Sequence, residues 1–528
     1  MLCHPSPGGA GLARSRPAAY DTGMALPAVE LPAVELPAVE LPAVELPVRE
    51  HRQMRSEIFD VVVVGCGVAG LSAAVSAAEQ GARVAVLERA SKEERGGQSR
   101  YTEAYLRMKS ETEVTDDFET HIAENGSGYI DPDLIEESAR PIGERAAHAR
   151  SLAIADPDVI QTFADNAGPT VQWLKRFGIR FDFLPTQFLT KSQPRLLPIG
   201  GGLAIVEGLA ARAEQLEVSF FCETTPTRLD VDENGVVLGL FARNQGLVCR
   251  FAGNVVLGCG GFEGNPEMLT RYMGPRAVYL RPICKGGNFN RGEGIRMALD
   301  IGAAGAGDFG SYHAEPIDPR SGVAEPSVFI FPYGILVNKD GRRFTDEAPG
   351  AVDAHYERVT RRIFEQRDGL AYTVLDSKHL RIPNYRLGIR TDKPPIVAPT
   401  VAELANVLGI AGDVLEATVR DYNAACVAGE FKPLEVDGMA TKGLSPRKSN
   451  WAWKLDEPPF HAYPIISANV LTFGGLKVDT NARVLDGDGL PIEGLYAAGE
   501  VVGMYYGTYT GATSVLSPTV AFHCSLPI

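Results

Sequence analysis

The sequence predicts an α/β protein whose main sheet starts with a Rossmann-like strand–helix–strand unit. Residues 61–64 are four consecutive valines, a run typical of a strand buried on both faces of a parallel sheet. A G-x-G-x-x-G spacing follows at Gly65, Gly67 and Gly70, and the residues after it are expected to form a helix. A second apolar strand, residues 83–87, completes the predicted unit.

The glycine spacing and the acid that follows it predict a dinucleotide site. In such a turn the backbone lies close to a pyrophosphate, and the first N–H groups of the helix, here at Val68 and Ala69, bind its charge. Glu88 lies about 20 positions after the glycines, where a carboxylate accepts a hydrogen bond from a ribose hydroxyl, and Arg89 follows it. An acid at this position favours an adenosine ribose without a 2′-phosphate.

Length and charge restrict the class of protein. At 528 residues the chain is too long for one ordinary core, so two domains or more are expected. The formal net charge of −15 argues against a nucleic-acid partner, because such a partner requires a basic surface. No run of about 18 apolar residues occurs, so no stable membrane insertion is expected.

Cysteine usage indicates a reducing compartment. The eight cysteines are scattered, without the paired spacing of a zinc, haem or iron–sulfur site, and no metal is expected. A disulfide framework is not expected in so long a chain, so we predict a cytoplasmic protein. A mitochondrial location is the alternative, because Arg14 and Arg16 stand in an N-terminal segment with few acids.

Residues 1–55 form a leader of unusual composition. The pentapeptide Leu-Pro-Ala-Val-Glu starts at Leu26 and recurs as far as residue 45. Its regularly spaced prolines remove backbone donors and block helix continuation, so a disordered, extended segment is predicted. A repeat expansion or a misplaced start of the chain is the simplest origin of this segment.

Two later strands also run into glycines. Residues 255–257 lead into Gly260–Gly261, and residues 495–498 lead into Gly499 and Glu500. Glycines at the end of a strand allow the backbone to approach a ligand closely. Together with the N-terminal turn, they indicate one cofactor held by both ends of the chain.

Five short motifs then point to a known family. They are Gly96-Gly97-Gln98-Ser99-Arg100, Gly260-Gly261-Phe262, Asn290-Arg291-Gly292-Glu293-Gly294, Thr472-Phe473-Gly474-Gly475 and Tyr496-Ala497-Ala498-Gly499-Glu500. On these motifs, residues 56–516 resemble the FAD-dependent fumarate reductase/succinate dehydrogenase flavoprotein superfamily. Within it, the chain is most similar to tricarballylate dehydrogenase-like and 3-ketosteroid dehydrogenase-like FAD oxidoreductases.

The resemblance implies a Rossmann-like FAD-binding domain of glutathione-reductase type with an inserted α+β capping domain. The FAD-binding domain would comprise residues 56–307 and 472–528, and the capping domain, which holds the substrate, residues 308–471. The residues expected to contact FAD are Gly65, Gly67, Val68, Ala69, Gly70, Glu88, Arg89, Gly96, Gly97, Ser99, Gly260, Gly261, Gly499, Glu500, Ser514 and Leu516. FAD is expected to bind non-covalently, because residues 93–95 lack the histidine that links the flavin in succinate dehydrogenases.

Three positions differ from the soluble fumarate reductases of the family. Their arginine proton donor is missing near Ala351, and Leu471 stands in place of a histidine. A substrate-binding arginine is also missing near Thr510. Because three residues of the fumarate reductase active site are missing together, fumarate reduction is not expected.

Tyrosines follow the Glu500 turn. Tyr505, Tyr506 and Tyr509 lie close together in the sequence, and a phenol transfers protons when a neighbouring charge lowers its pKa. We predict that Tyr506 or Tyr509 is the proton-transfer group, with aromatic packing over the flavin edge as the alternative. His313 lies where relatives present substrate-binding groups and is predicted to orient the substrate.

These features predict an FAD-dependent enzyme acting on CH–CH donors, similar to tricarballylate dehydrogenases. A base would remove the proton next to a carboxylate or carbonyl while the neighbouring hydrogen leaves as hydride.

A 3-ketosteroid Δ1-dehydrogenase-like enzyme is the alternative, because residues 328–333 suit an apolar wall. A catalytically impaired flavin-binding protein is a second alternative, because the chain after Leu516 lacks the C-terminal helix of relatives. The expected partners are a small-molecule substrate and an electron acceptor that the sequence does not identify.

Overall fold

A computed structural model of the protein describes residues 55–116, 137, 140–141, 144–150, 156–183, 195–507 and 509. All of these residues belong to one compact unit. The predicted leader, apart from Arg55, lies outside the described residues, as does the chain after Tyr509. None of the described helices is both long enough and apolar enough to cross a membrane.

The strands are numbered in chain order. They are β1 Arg55–Val64, β2 Val84–Leu87, β3 Phe181–Phe183, β4 Leu196–Pro198, β5 Ser219–Phe221, β6 Thr224–Val231, β7 Val237–Asn244, β8 Leu247–Leu257, β9 Arg281–Pro282, β10 Gly305–Ala306, β11 Tyr312–Ile317, β12 Ile335–Asn338, β13 Leu370–Leu375, β14 Ile396–Ala398, β15 Phe460–Thr472, β16 Gly475–Leu476, β17 Arg483–Leu485 and β18 Pro491–Ala497.

The helices are numbered in the same way. They are α1 Val68–Glu79, α2 Ala147–Arg150, α3 Pro157–Lys175, α4 Gly201–Gln215, α5 Pro266–Met273, α6 Glu293–Leu299, α7 Val352–Phe364, α8 Val401–Leu408 and α9 Gly412–Ala425.

The main sheet contains the predicted strand–helix–strand unit. Its central strands have the order β17-β18-β8-β1-β2-β5. β1 is parallel to both β2 and β8, with Val63 opposite Val256, and β18 is parallel to β8, with Leu495 opposite Val255. Because parallel strands end at the same edge, the turns after β1, β8 and β18 meet there. A strand near the C-terminus therefore completes a site that the N-terminal strands begin.

Burial explains why the valine run forms the centre of this sheet. Val62 and Val63 are completely buried, as expected for a strand covered on both faces. Helix α1 covers one face and packs against α4, and ten consecutive residues from Val68 to Ala77 are buried. The predicted α/β fold class is confirmed.

A second sheet holds the other side of the site. Its strands have the order β11-β15-β13-β12, all antiparallel, and β14 and β9 also pair with β15. Helix α7 packs against β11 and β15. The sheet includes Arg281–Pro282 and continues to Thr472, so it extends beyond the predicted capping domain, residues 308–471, at both ends. Those domain boundaries stay a prediction.

Candidate active site

The turn between β1 and α1 brings three backbone segments into contact. Gly65 has a φ of +101°, and a Cβ on this residue would lie 2.5 Å from the carbonyl oxygen of Gly258, after β8. A Cβ on Gly70 would lie 1.9 Å from the carbonyl oxygen of Gly65. Only glycine fits at these two positions, so the predicted glycine pattern has a direct steric cause.

Glu88 is a buried carboxylate that fixes this turn. Its Oε2 atom accepts a hydrogen bond from the backbone N–H of Cys66 at 2.8 Å, and its Oε1 atom accepts one from Ala90 at 2.8 Å. Burial raises the pKa of Glu88, and the backbone hydrogen bonds oppose that rise. Each carboxylate oxygen has a further lone pair, so Glu88 retains capacity to accept from a ligand hydroxyl. Its neighbour Arg89 forms an ion pair with Glu293.

Glu500 is the carboxylate in the turn after β18, which the C-terminal part of the chain contributes to the site. The Thr472 backbone N–H donates a hydrogen bond to its Oε1 atom at 2.8 Å. A Cβ on Gly261 would lie 2.1 Å from Oγ1 of Thr472 and 2.4 Å from Oε1 of Glu500. A Cβ on Gly260 would lie 2.6 Å from the Asn290 side-chain amide. These glycines let the turn after β8 approach the Glu500 turn closely.

A cavity of about 660 Å³ joins the glycine turn, the Glu500 turn and the second sheet. The predicted cofactor residues that line it are Gly65, Gly67, Val68, Ala69, Glu88, Arg89, Ser99, Gly260, Gly499 and Glu500. Its volume lies within the range of about 300–1,000 Å³ that is usual for ligand pockets. One end is the N-terminus of a helix, which suits phosphate, so the residues fit a dinucleotide such as FAD.

Some predicted cofactor residues lie elsewhere. Gly70, Gly96, Gly97 and Gly261 are not part of the cavity lining. Of these, Gly70 and Gly261 shape the turns behind the cavity wall through the close contacts given above. Ser514 and Leu516 lie outside the described residues.

Three aromatic side chains meet in the same cavity, next to the second sheet. The Nε2 atom of His313, on β11, lies 2.6 Å from the hydroxyl oxygen of Tyr356, on α7. The rings of His313 and Tyr509 lie 4.0 Å apart between centroids. All three residues line the cavity, and His313 and Tyr509 are buried. This cluster places one imidazole and two phenols together at one wall of the cavity.

Burial keeps both members of the hydrogen-bonded pair uncharged. It lowers the pKa of His313 to about 3, and the nearby Arg361 lowers it further in the same direction. Burial also raises the pKa of Tyr356 well above its usual value. At neutral pH the imidazole is therefore neutral and the phenol is protonated.

Tyr506 lies apart from this cluster. Its hydroxyl oxygen accepts a hydrogen bond from the backbone N–H of Gly307 at 2.8 Å, and its side chain is not part of the cavity lining. Burial raises its pKa to about 12. Of the residues predicted to be catalytic, the structure brings together Tyr509 and His313 but not Tyr506.

The arginines that line the cavity next to the second sheet are mostly paired with carboxylates. The Nη1 atom of Arg390 lies 2.8 Å from Oε2 of Glu103 and 3.5 Å from Oε2 of Glu325. Arg195 lies 3.6 Å from Asp353. These contacts neutralise the positive charge that the cavity would otherwise offer to an anionic substrate.

One further glutamate, Glu315, lies near Arg390 and Glu325. Glu315, on β11, hydrogen-bonds the Ser327 hydroxyl, and burial raises its pKa. Burial and the adjacent Glu315 together raise the pKa of Glu325 to about 8. Carboxyl groups therefore outnumber guanidinium groups in this part of the lining.

Sequence reasoning missed Tyr356, Arg390 and Glu103. Tyr356 lies one helical turn after Val352 on α7, and both line the cavity, so the i, i+4 spacing was the available signal. Arg390 and Glu103 follow irregular segments, where no periodicity indicates the direction of a side chain.

The geometry defines an α/β flavoprotein, with the cofactor cavity at the carboxyl edge of a parallel sheet. The sequence profile of the FAD binding domain family matches residues 60–516, and the chain belongs to this family, within the fumarate reductase/succinate dehydrogenase flavoprotein superfamily. FAD is its cofactor, and it is an FAD-dependent oxidoreductase.

Three known proteins illustrate the relationship. Vinyl phenol reductase of Lactiplantibacillus plantarum is 26% identical over 494 residues, which cover 86% of this chain and 92% of that protein. A 3-oxosteroid 1-dehydrogenase of Mycobacterium tuberculosis is 29% identical over 358 residues, 61% of this chain and 62% of that protein. The open conformation of a flavocytochrome c3 fumarate reductase aligns with a TM-score of 0.66 at 23% identity, over 89% of this chain and 77% of that one.

Proposed function

We propose that this protein transfers hydride and a proton across a C–C bond of an uncharged conjugated substrate, and that Tyr356 carries the proton. The substrate class is an alkene conjugated to a ketone or to a phenol ring, together with its saturated counterpart. FAD, when bound, supplies the hydride chemistry. The observation that carries the proposal is the 2.6 Å contact between Tyr356 and His313 inside the cofactor cavity.

The protonation states favour Tyr356 as an acid. The Tyr356 hydroxyl holds a proton at neutral pH that it can donate to a substrate carbon, although the burial that raises its pKa also makes it a weaker acid, so the phenolate left behind needs stabilisation. The neutral imidazole of His313 stabilises the resulting phenolate when its Nε2 atom carries the hydrogen. The same hydroxyl oxygen receives the proton when the substrate is oxidised, since forward and reverse reactions use the same groups.

The charges of the lining favour an uncharged substrate. A tricarboxylate such as tricarballylate requires several cations that are free to bind it. Arg390 and Arg195 are paired with carboxylates, and Arg386, the remaining arginine on this side, is exposed to solvent. Glu315 and Glu325 also line this side, and because burial raises the pKa of both they offer no cation to a carboxylate.

Two relatives support this substrate class over tricarballylate. Vinyl phenol reductase is named for a phenol, and 3-oxosteroid 1-dehydrogenase for a steroid ketone. Phe329, Leu387 and Ile389 line the same side of the cavity and suit an apolar ring system. Reduction is the first candidate direction, by analogy with vinyl phenol reductase, and oxidation of a 3-oxosteroid is the second.

An anaerobic substrate panel tests the proposal. Reduced protein is mixed with a vinyl phenol, an unsaturated 3-oxosteroid, fumarate or aconitate, and the return of the flavin absorbance is followed. Oxidised protein is mixed with the saturated counterparts, and loss of that absorbance is followed. We expect reaction with the phenol or the steroid only. Reaction confined to the carboxylates would refute the proposal.

A further inference from the structure

Two carboxyl groups meet in the wall of the cofactor cavity. Glu263, which follows the Gly260–Gly261 turn, is 1% exposed and hydrogen-bonds the side chain of Glu500. Glu500 lines the cavity, whereas Glu263 lies behind it. The two residues come from opposite ends of the cofactor-binding region, so their contact joins the turn after β8 to the turn after β18.

The groups around this pair are neutral. Gln98 donates a hydrogen bond to Oε1 of Glu263 at 2.9 Å, and the Asn290 amide donates to Oε2 of Glu500 at 3.5 Å. The Thr472 backbone N–H donates to Glu500 at 2.8 Å. The Cys284 thiol, which is titratable, contacts Gln98.

Two carboxylates in contact cannot both be ionised unless a cation lies beside them. Within the described residues, neither Glu263 nor Glu500 forms an ion pair with a lysine or arginine. Burial raises the pKa of both groups. The pair therefore holds a proton, and a hydrogen bond from a carboxyl group to a carboxylate is stronger than one between neutral groups.

We propose that Glu263 is a positioning residue that shares one proton with Glu500 and thereby holds the Glu500 carboxyl at the cofactor cavity. When this proton is lost, the two carboxylates repel each other and Glu500 moves away from Glu263. The cavity wall then loses its cofactor-bound shape, and FAD dissociates faster. The inference rests on FAD binding and is independent of which substrate the protein uses.

The rate at which FAD leaves the holoenzyme tests this inference. Release is followed by the fluorescence of free flavin between about pH 6 and about pH 9.5. In the wild type, the release rate constant should rise with pH, by up to about tenfold per pH unit where the shared proton is lost. In Glu263→Gln the amide donates permanently to Glu500, so release should be independent of pH over the same range. Glu500→Gln should behave in the same way.

Glu267→Gln is the matched control, because Glu267 is an exposed acid four residues from Glu263 and should keep the wild-type pH profile. If Glu263 had only a structural role, Glu263→Gln would change the FAD release rate constant by the same factor at every pH. A pH-independent release in the wild type, or an unchanged pH profile in Glu263→Gln or Glu500→Gln, would overturn the inference. If one variant does not fold, the pH profiles of the wild type and of the other variant still test the inference.

Discussion

The Nε2 atom of His313 lies 2.6 Å from the hydroxyl oxygen of Tyr356, and this contact joins strand β11 to helix α7. The two residues are 43 positions apart in the chain. Tyr509, from the C-terminal part of the chain, packs its ring against the same imidazole at 4.0 Å. A neutral histidine, a protonated phenol and a second tyrosine thus face the cofactor cavity together, and their roles can be separated by substitution.

The ring of Tyr509 is expected to matter more than its hydroxyl. Tyr509→Phe keeps the ring that packs on His313, so the single-turnover rate should fall by less than about fivefold. Tyr509→Leu removes the aromatic contact and should lower the rate by at least about tenfold, because the imidazole is then less firmly oriented. Rapid-mixing absorbance measurements give both rates. A loss of about 100-fold or more in Tyr509→Phe would instead identify Tyr509 as the proton-transfer group.

His313 should make folding stability depend on pH. Burial lowers its pKa from 6.5 to about 3, so below pH 6.5 the unfolded chain binds a proton that the folded protein does not. Stability from this residue is present above pH 6.5 and is lost as the pH falls towards 3. When the pH is lowered from about 7.5 to about 5, the free energy of unfolding should fall by about 2 kcal/mol because of His313.

Urea unfolding of wild type and His313→Gln at these two pH values checks this expectation. His379 and His461 also have lowered pKa values, but they contribute equally to both proteins. The wild type should lose more stability than the variant on acidification. Equal losses would show that His313 is accessible to protons in the folded state.

Glu103 should help to exclude carboxylate substrates, because it neutralises Arg390. In Glu103→Gln the guanidinium loses its partner at 2.8 Å and becomes available to an anion. We expect fumarate to bind at least about tenfold more tightly, or about 1.4 kcal/mol, as measured by its inhibition of the reaction with an uncharged substrate. Glu113→Gln, an exposed acid outside the cavity lining, is the control. Unchanged fumarate binding would mean that Arg390 does not face the substrate.

Ten of the residues that the sequence predicts to contact the cofactor line the cavity. The valine run, the glycines and Glu88 follow rules of local spacing, although the steric conflict at Gly65 is with Gly258 after β8. Gly70 illustrates the reason, since the steric conflict that requires glycine there arises five residues away, at Gly65. Such constraints can be read without knowledge of the tertiary structure.

The substrate half depends on packing between distant segments. Tyr506 and Tyr509 are equivalent by sequence, yet one binds the backbone of Gly307 and the other lines the cavity. The segment that holds them is irregular, so no helical or strand period assigns a direction to either side chain. Tyr356 and Arg390 meet the cavity only because the second sheet places α7 and the loop before β14 against it.

The most direct test of the proposed chemistry is the single-turnover rate of Tyr356→Phe with an uncharged conjugated substrate. The variant keeps the ring and the cavity but lacks the transferable proton. Its rate should fall by about 100-fold or more, with FAD content unchanged. Tyr279→Phe, a surface tyrosine outside the cavity lining, should react at the wild-type rate. A Tyr356→Phe rate within about twofold of the wild type would contradict the assignment of Tyr356 as the proton-transfer group.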